Sequence, residues 1–63
     1  MSFNENLKKI REEKGLTQEE LAKMVGISQP MIAQYEMGIK FPNVIVGKVI
    51  AKRLMCSLDE LTE

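Results

Sequence analysis

Residues 16–38, LTQEELAKMVGISQPMIAQYEMG, carry two sets of helix-start signals and two glycines placed where helices stop. Thr17 followed by Glu20 is a capping box, in which the two side chains satisfy backbone N–H groups that have no partner in the first helical turn. Leu16 and Leu21 flank it as a hydrophobic staple. Ser28 opens a second helix, with Ile27 stapled to Ile32 and Pro30 in the first turn, where a missing N–H matters little. Gly26 and Gly38 suit the left-handed conformation that ends a helix, which a Cβ disfavours. The spacing predicts helices near 17–25 and 28–37.

At about 100° per residue, Ile32, Tyr35 and Glu36 of the second helix fall on one side. Gln29, Pro30, Ala33, Gln34 and Met37 fall on the other. The first side is core, and the second is either a solvated face or a surface that recognises something.

Work outward from this pair gives three more helices. Ser2 with Glu5 is another capping box, starting a helix that runs to Lys14 before Gly15, with Phe3, Leu7 and Ile10 on its core face. Pro42 sits in the loop 38–43. Asn43 caps a fourth helix running to about Leu54, which buries some of Val44, Val46, Val49, Ile50 and Leu54. Gly47 inside it costs about 1 kcal/mol relative to alanine, which suggests either a close helix approach or a locally weak turn, and close approach is the expectation taken forward. Ser57 and Glu60 open a short fifth helix, with Cys56 stapled to Leu61. Nothing alternates like a strand, so the expected architecture is all-α: one compact five-helix domain over 1–63.

Composition narrows the function. A chain of 63 residues makes one small domain that buries only about 60% of its unfolded surface. Its 44% hydrophobic content is high for that size, so either the core is efficient or apolar surface is kept for a partner. Nine basic and nine acidic side chains sum to zero charge. An anionic partner would therefore have to meet charge that is local, and non-specific binding to it would be weak. The single cysteine, Cys56, reads as a small buried hydrophobe, and with no histidine in the chain no metal site is expected. No signal peptide or membrane-length apolar run is present, which points to a cytoplasmic protein. An enzyme is not expected: no nucleophile has a candidate base, and no phosphate-binding glycine loop or ligand cluster is present. The acidic pairs Glu12 with Glu13 and Glu19 with Glu20 are adjacent on helices and point in different directions.

In register, Gln18, Ala22, Gly26, Ile27 and Ile32 resemble the phage repressor and Cro type of helix-turn-helix, often called the XRE family. The resemblance continues through LKKIREEKGLTQEELA before the turn, YEMGIKFP after it and the RLMCSLDEL tail, covering almost the whole chain. It implies a lambda-repressor-like DNA-binding fold and sequence-specific binding to double-stranded DNA by a small dimeric transcriptional regulator, its third helix in the major groove. No cofactor and no small-molecule ligand are implied.

The same resemblance assigns base contacts to Gln29, Ala33 and Gln34, with Pro30, Ala33 and Met37 suited to thymine methyls. A glutamine amide matches the donor and acceptor of adenine, and no arginine or lysine on this face is available for guanine. The expected operator is a palindrome with A·T-leaning half-sites. Gln18 resembles a phosphate-contacting residue at a helix start. Thr17 and Ser28 add phosphate contact to their capping, and Lys40 and Asn43 are backbone clamps. Met37 stands where a polar or basic phosphate contact is common, and Pro30 where a polar base reader is common. Arg11 and Glu36 resemble a structural ion pair bridging the first and third helices. Met55 stands where glycine frequently follows the fourth helix. Val46, Val49, Met55, Leu58 and Leu61 are the expected surface for a homodimer. The competing expectation is a protein-interaction module of the same fold, an antitoxin or regulatory partner with weak or no DNA binding.

Overall fold

A computed structural model describes residues 2–62. Five helices follow one another: α1 (Phe3–Glu13), α2 (Gln18–Val25), α3 (Gln29–Glu36), α4 (Val44–Arg53) and α5 (Leu58–Thr62). Each boundary falls at the signal that predicts it. Thr17 Oγ1 accepts from the Glu20 N–H at 3.0 Å, while the Thr17 N–H donates to Glu20 Oε1 at 2.9 Å. Ser57 and Glu60 repeat the exchange at 3.1 and 2.9 Å. Asn43 Oδ1 caps α4 through the Val46 N–H at 2.8 Å, and Ser28 Oγ caps α3 through the Met31 N–H at 3.3 Å. At the chain start Glu5 reaches back to the Ser2 N–H and accepts from its hydroxyl.

The three staples also build the core. Leu21, Ile32 and Leu61, their inner members, are each fully buried, and Leu16, Ile27 and Cys56 pack against the same cluster. Local capping thus delivers one anchoring side chain from each of α2, α3 and α5 to the centre. Leu7, Tyr35, Ile50, Ala51 and Leu54 complete it. Phe3 lies edge-on to Tyr35 and tilted against Phe41, with ring centroids 6.5 and 6.4 Å apart. Helix α3 is held between α1 and α2, and α4 and α5 close the other side.

Two sequence expectations change, and one is met by an unusual residue. Leu61 is fully buried and leaves the set of dimer residues: as the inner staple of α5 it faces inward, and its carbonyl accepts from the buried Asn6 Nδ2 at 3.1 Å. Gly47 does not mark a close helix approach, because a Cβ built there would meet only Leu58 Cδ1 at 3.6 Å, an ordinary contact. Met55, in the place of a frequent glycine, leaves α4 ending at its expected position. Leu54 caps the helix and Met55 itself takes the left-handed conformation at φ 57°, against the Cβ penalty that makes glycine the usual choice.

The capping boxes make stability sensitive to acid. Hydrogen bonds from Ser2 hold the Glu5 carboxyl below its ordinary value, and those from the Thr17 N–H and hydroxyl do the same to Glu20. A carboxylate whose folded value is depressed contributes stability that is present above its unfolded value and lost as pH falls through the folded one. The thermal unfolding temperature should therefore fall on acidification below about pH 4.5. Glu20→Gln keeps the cap geometry without the titration, and its unfolding temperature should fall less steeply over that range. An unchanged slope would show that the α2 cap does not contribute.

Candidate nucleic-acid interface

Helix α3 has the polarity that its spacing predicts. Ile32, Tyr35 and Glu36 are buried, Gln29, Pro30 and Met37 are exposed, and Ala33 and Gln34 are half-exposed. Glu36 is the exception to an apolar inner face, and its burial is explained by its partner. Arg11 Nε and Nη2 grip its two carboxylate oxygens at 2.6 and 3.0 Å, and the third guanidinium nitrogen, Nη1, donates to the Leu16 carbonyl at 2.6 Å. The paired geometry raises the Arg11 pKa further above its ordinary value, through the Glu36 hydrogen bonds. The expected tie between the first and third helices is therefore present and fully satisfied.

It does not end there. Gln18 Nε2 donates to Glu36 Oε1 at 3.0 Å, and Gln29 Nε2 donates to Gln18 Oε1 at 2.7 Å. Four side chains thus run from α1 through the end of α3 and the start of α2 to the first residue of α3. Sequence reasoning placed each of these residues without the two glutamine bonds. The available signal was that Gln18 and Gln29 are both first residues of consecutive capped helices. The bonds fix the rotation of the Gln29 amide, since Nε2 faces Gln18 and Oε1 is turned away from it. One N–H of Nε2 and the Oε1 lone pairs remain, a donor and an acceptor side by side at the exposed end of α3. Gln18 likewise keeps one N–H free.

The remaining candidates border this point. Ser28 uses its oxygen as the acceptor for its cap, so its hydroxyl hydrogen is still available to donate, whereas the Thr17 hydroxyl is engaged with Glu20 both as acceptor and towards the carboxylate. Lys40 is exposed, and Asn43 keeps its Nδ2 while Oδ1 caps α4. Met37 is 68% exposed and offers a thioether, a weak acceptor, in place of a donor. Val46, Val49 and Leu58 are half-exposed and Met55 is exposed. Sequence reasoning passed over Ile39, Phe41 and Ile45, three exposed apolar side chains around Pro42. Their signal was an apolar run in a loop without core spacing.

Net neutrality hides a local imbalance. Between Leu21 and Leu58 the chain has five basic residues, Lys23, Lys40, Lys48, Lys52 and Arg53, and a single acid, Glu36. That acid is buried and neutralised by Arg11. Lys23 has only a solvent-exposed partner, Glu19, at 3.5 Å. The segment that carries α3 and α4 thus has a net positive charge, and Gln29, Pro30, Ala33, Gln34 and Met37 on the outer face of α3 are all uncharged.

A helix-turn-helix family model, HTH_3, matches residues 7–61. The chain belongs to this family. Within the HTH_3 helix-turn-helix proteins, it is 41% identical over 61 residues to the HTH-type transcriptional activator BcrR of Enterococcus faecalis, covering 97% of this chain and 30% of that protein. It is 42% identical over 59 residues to the uncharacterized HTH-type transcriptional regulator YqaE of Bacillus subtilis, covering 94% of this chain and 51% of that one. The chain therefore spans at most about half the length of these two relatives. Among solved structures it is similar to the P22 c2 repressor in complex with synthetic operator 9T, with a TM-score of 0.94, 32% identity, and coverage of 100% of this chain and 96% of that one. It is also similar to the restriction-modification controller protein C.AhdI of Aeromonas hydrophila, with a TM-score of 0.90, 29% identity, and coverage of 94% and 89%. The five-helix repressor-like fold expected from the resemblance is the fold observed. No described helix is long and apolar enough to cross a membrane.

Proposed function

We propose that this domain binds double-stranded DNA in sequence-specific fashion, two copies to a palindromic operator, as the DNA-reading part of a cytoplasmic, non-enzymatic transcriptional regulator. The observation that carries the reading is the Gln29 amide, held by Gln18 with one donor and one acceptor free at the exposed start of α3. That pair matches the N6 amino group and N7 of adenine in the major groove. Gln34 is the second amide on the face, and Pro30 and Ala33 offer apolar contact to thymine methyls. Around them Gln18, Ser28, Lys40 and Asn43 have free donors for phosphate oxygens, and Thr17 and Met37 are the further backbone contacts of this reading. These contacts position the helix, and the glutamines specify sequence. The similarity to a repressor crystallised with its operator supports the same use of the fold.

Selection of bound duplexes from a random pool tests the reading. The expected result is a palindrome with A·T-containing half-sites one helical turn apart, bound with an affinity that falls steeply as salt rises. Gln29→Ala and Gln34→Ala should each relax preference at one base pair, by about 1–3 kcal/mol of discrimination. Uniform weakening on every sequence would contradict base readout, and salt-insensitive or absent binding would contradict the function.

A further inference from the structure

The row of hydrogen bonds that ends at Gln29 has a direction, and the direction is set at its buried end. An ionised carboxylate only accepts, whereas a primary amide has two N–H donors on one side and an accepting oxygen on the other. The Glu36 carboxylate is held by Arg11 Nε and Nη2 at 2.6 and 3.0 Å. The group that Gln18 turns towards it must therefore be Nε2, as observed at 3.0 Å. Gln18 Oε1 is then left for Gln29, which meets it with its own Nε2 at 2.7 Å. Each amide is forced into one of its two rotations by the group before it.

Control lies with the carboxylate because it is the member that cannot turn. Its side chain is 3% exposed, and Arg11 is itself fixed by donating Nη1 to the Leu16 carbonyl at 2.6 Å. Hydrogen bonds to a charged acceptor are also about twice as strong as those between neutral groups. Gln18 is half-exposed and Gln29 exposed, so on their own these amides would turn over freely.

The direction decides which purine fits. Adenine and guanine both show the acceptor N7 towards their own backbone, but nearer the middle of the major groove adenine shows the N6 donor and guanine the O6 acceptor. Gln18, the candidate phosphate contact, marks the backbone side of Gln29. With Nε2 on that side, the remaining N–H of Gln29 meets N7 and Oε1 meets the adenine amino group. Guanine would bring O6 against Oε1. With the amide turned over, Oε1 would face the N7 lone pair and the fit to adenine would be lost.

We propose that Glu36, on the inner face of α3, is a positioning residue for base selection: its carboxylate sets the direction of the Gln18 and Gln29 amides and so selects adenine over guanine at the Gln29 base pair. The proposal rests on the reading of α3 as the DNA-reading helix.

The test uses the full chain and three substitutions. Glu36→Gln keeps the shape of the side chain but can present a donor to Gln18. Gln18→Met cuts the row without touching the buried pair. Gln18→Lys keeps a bond to Glu36 but has only donors, so Gln29 should turn Oε1 towards it. In the free protein the Gln29 side-chain amide protons, followed by NMR, should exchange with water about two- to tenfold faster in Glu36→Gln and Gln18→Met than in the parent. On duplexes that differ only at the Gln29 base pair, all three variants should lose about five- to tenfold of the adenine-over-guanine preference. In the Gln18→Met background, Glu36→Gln should change the preference no further, since both act on one path. A merely structural Glu36 would instead weaken binding to every duplex alike and add to the Gln18→Met loss, which would overturn the proposal. Should Glu36→Gln fail to fold, Gln18→Lys decides at a half-exposed position, and a retained adenine preference there overturns it. A parent preference at the Gln29 pair that survives every substitution defeats the proposal alone. A parent with a protected Gln29 amide and no base preference defeats the DNA reading and the proposal with it.

Discussion

Arg11→Met is expected to destabilise the fold by about 3–5 kcal/mol, most of the stability available to a domain this small. The reason is what it leaves behind. Glu36 is only 8% exposed, and without the guanidinium its carboxylate keeps a single side-chain partner, Gln18 Nε2. The Leu16 carbonyl loses its Nη1 donor at the same time. Glu36→Met leaves the complementary problem, an uncompensated Arg11. The double variant Arg11→Met with Glu36→Met should be less damaged than either single, because a buried ion pair replaced on both sides by apolar groups removes its own desolvation cost. Urea unfolding of all four proteins gives the cycle. Additive losses would mean that the pair is not coupled. The double variant separates stability from recognition: with Glu36 gone, Gln18 has no anchor and the Gln29 amide is free to rotate. A folded double variant should therefore bind DNA with weakened preference at the Gln29 base pair and near-normal salt dependence.

Much of this fold is legible because its signals are local. A capping box spans four residues and a staple six, so Ser2, Thr17, Ser28, Asn43 and Ser57 can be read as helix starts with no knowledge of the rest of the chain, and all five are helix starts in the structure. Gly26 and Gly38 have φ of 87° and 75°, as helix-ending glycines should. The staples also name Leu21, Ile32 and Leu61 as N4 residues, although only the packed molecule shows that all three meet in one core. What the sequence leaves open are relations between distant elements. Gln18 could aim its amide at solvent, at a phosphate or at a neighbour. The choice of Glu36 and Gln29, 18 and 11 residues away, depends on how α1, α2 and α3 pack. The role of Gly47 was misread for the same reason, since a helical glycine signals a close approach only if another element is there. The apolar run around Pro42 has no helical period, so periodicity could not sort Phe41 from Val46. The site residues themselves came from family resemblance, and geometry adds the bonds that make one of them, Gln29, a rigid presenter instead of a mobile side chain.

Leu61→Ala should lower stability by about 2–5 kcal/mol without acting selectively on association. Helix α5 has five residues, far too few to persist by its own hydrogen bonds. It stays folded because Leu61 is inserted in the core, Cys56 packs at its start, and the Leu61 carbonyl takes the Asn6 amide. Truncating Leu61 removes the fully buried one of these anchors, and a cavity remains because α1 and α4, against which α5 packs, cannot collapse fully onto a helix tethered at one end. Met55→Ala is the matched control, since Met55 is 86% exposed and its truncation should fall within about 0.5 kcal/mol of the parent. The two variants distinguish a core role from an interface role for the C-terminal third. A Leu61→Ala protein as stable as the Met55→Ala protein would put Leu61 back at a surface. The expected large loss would instead make Leu61 the core residue that holds α5 against α1 and α4.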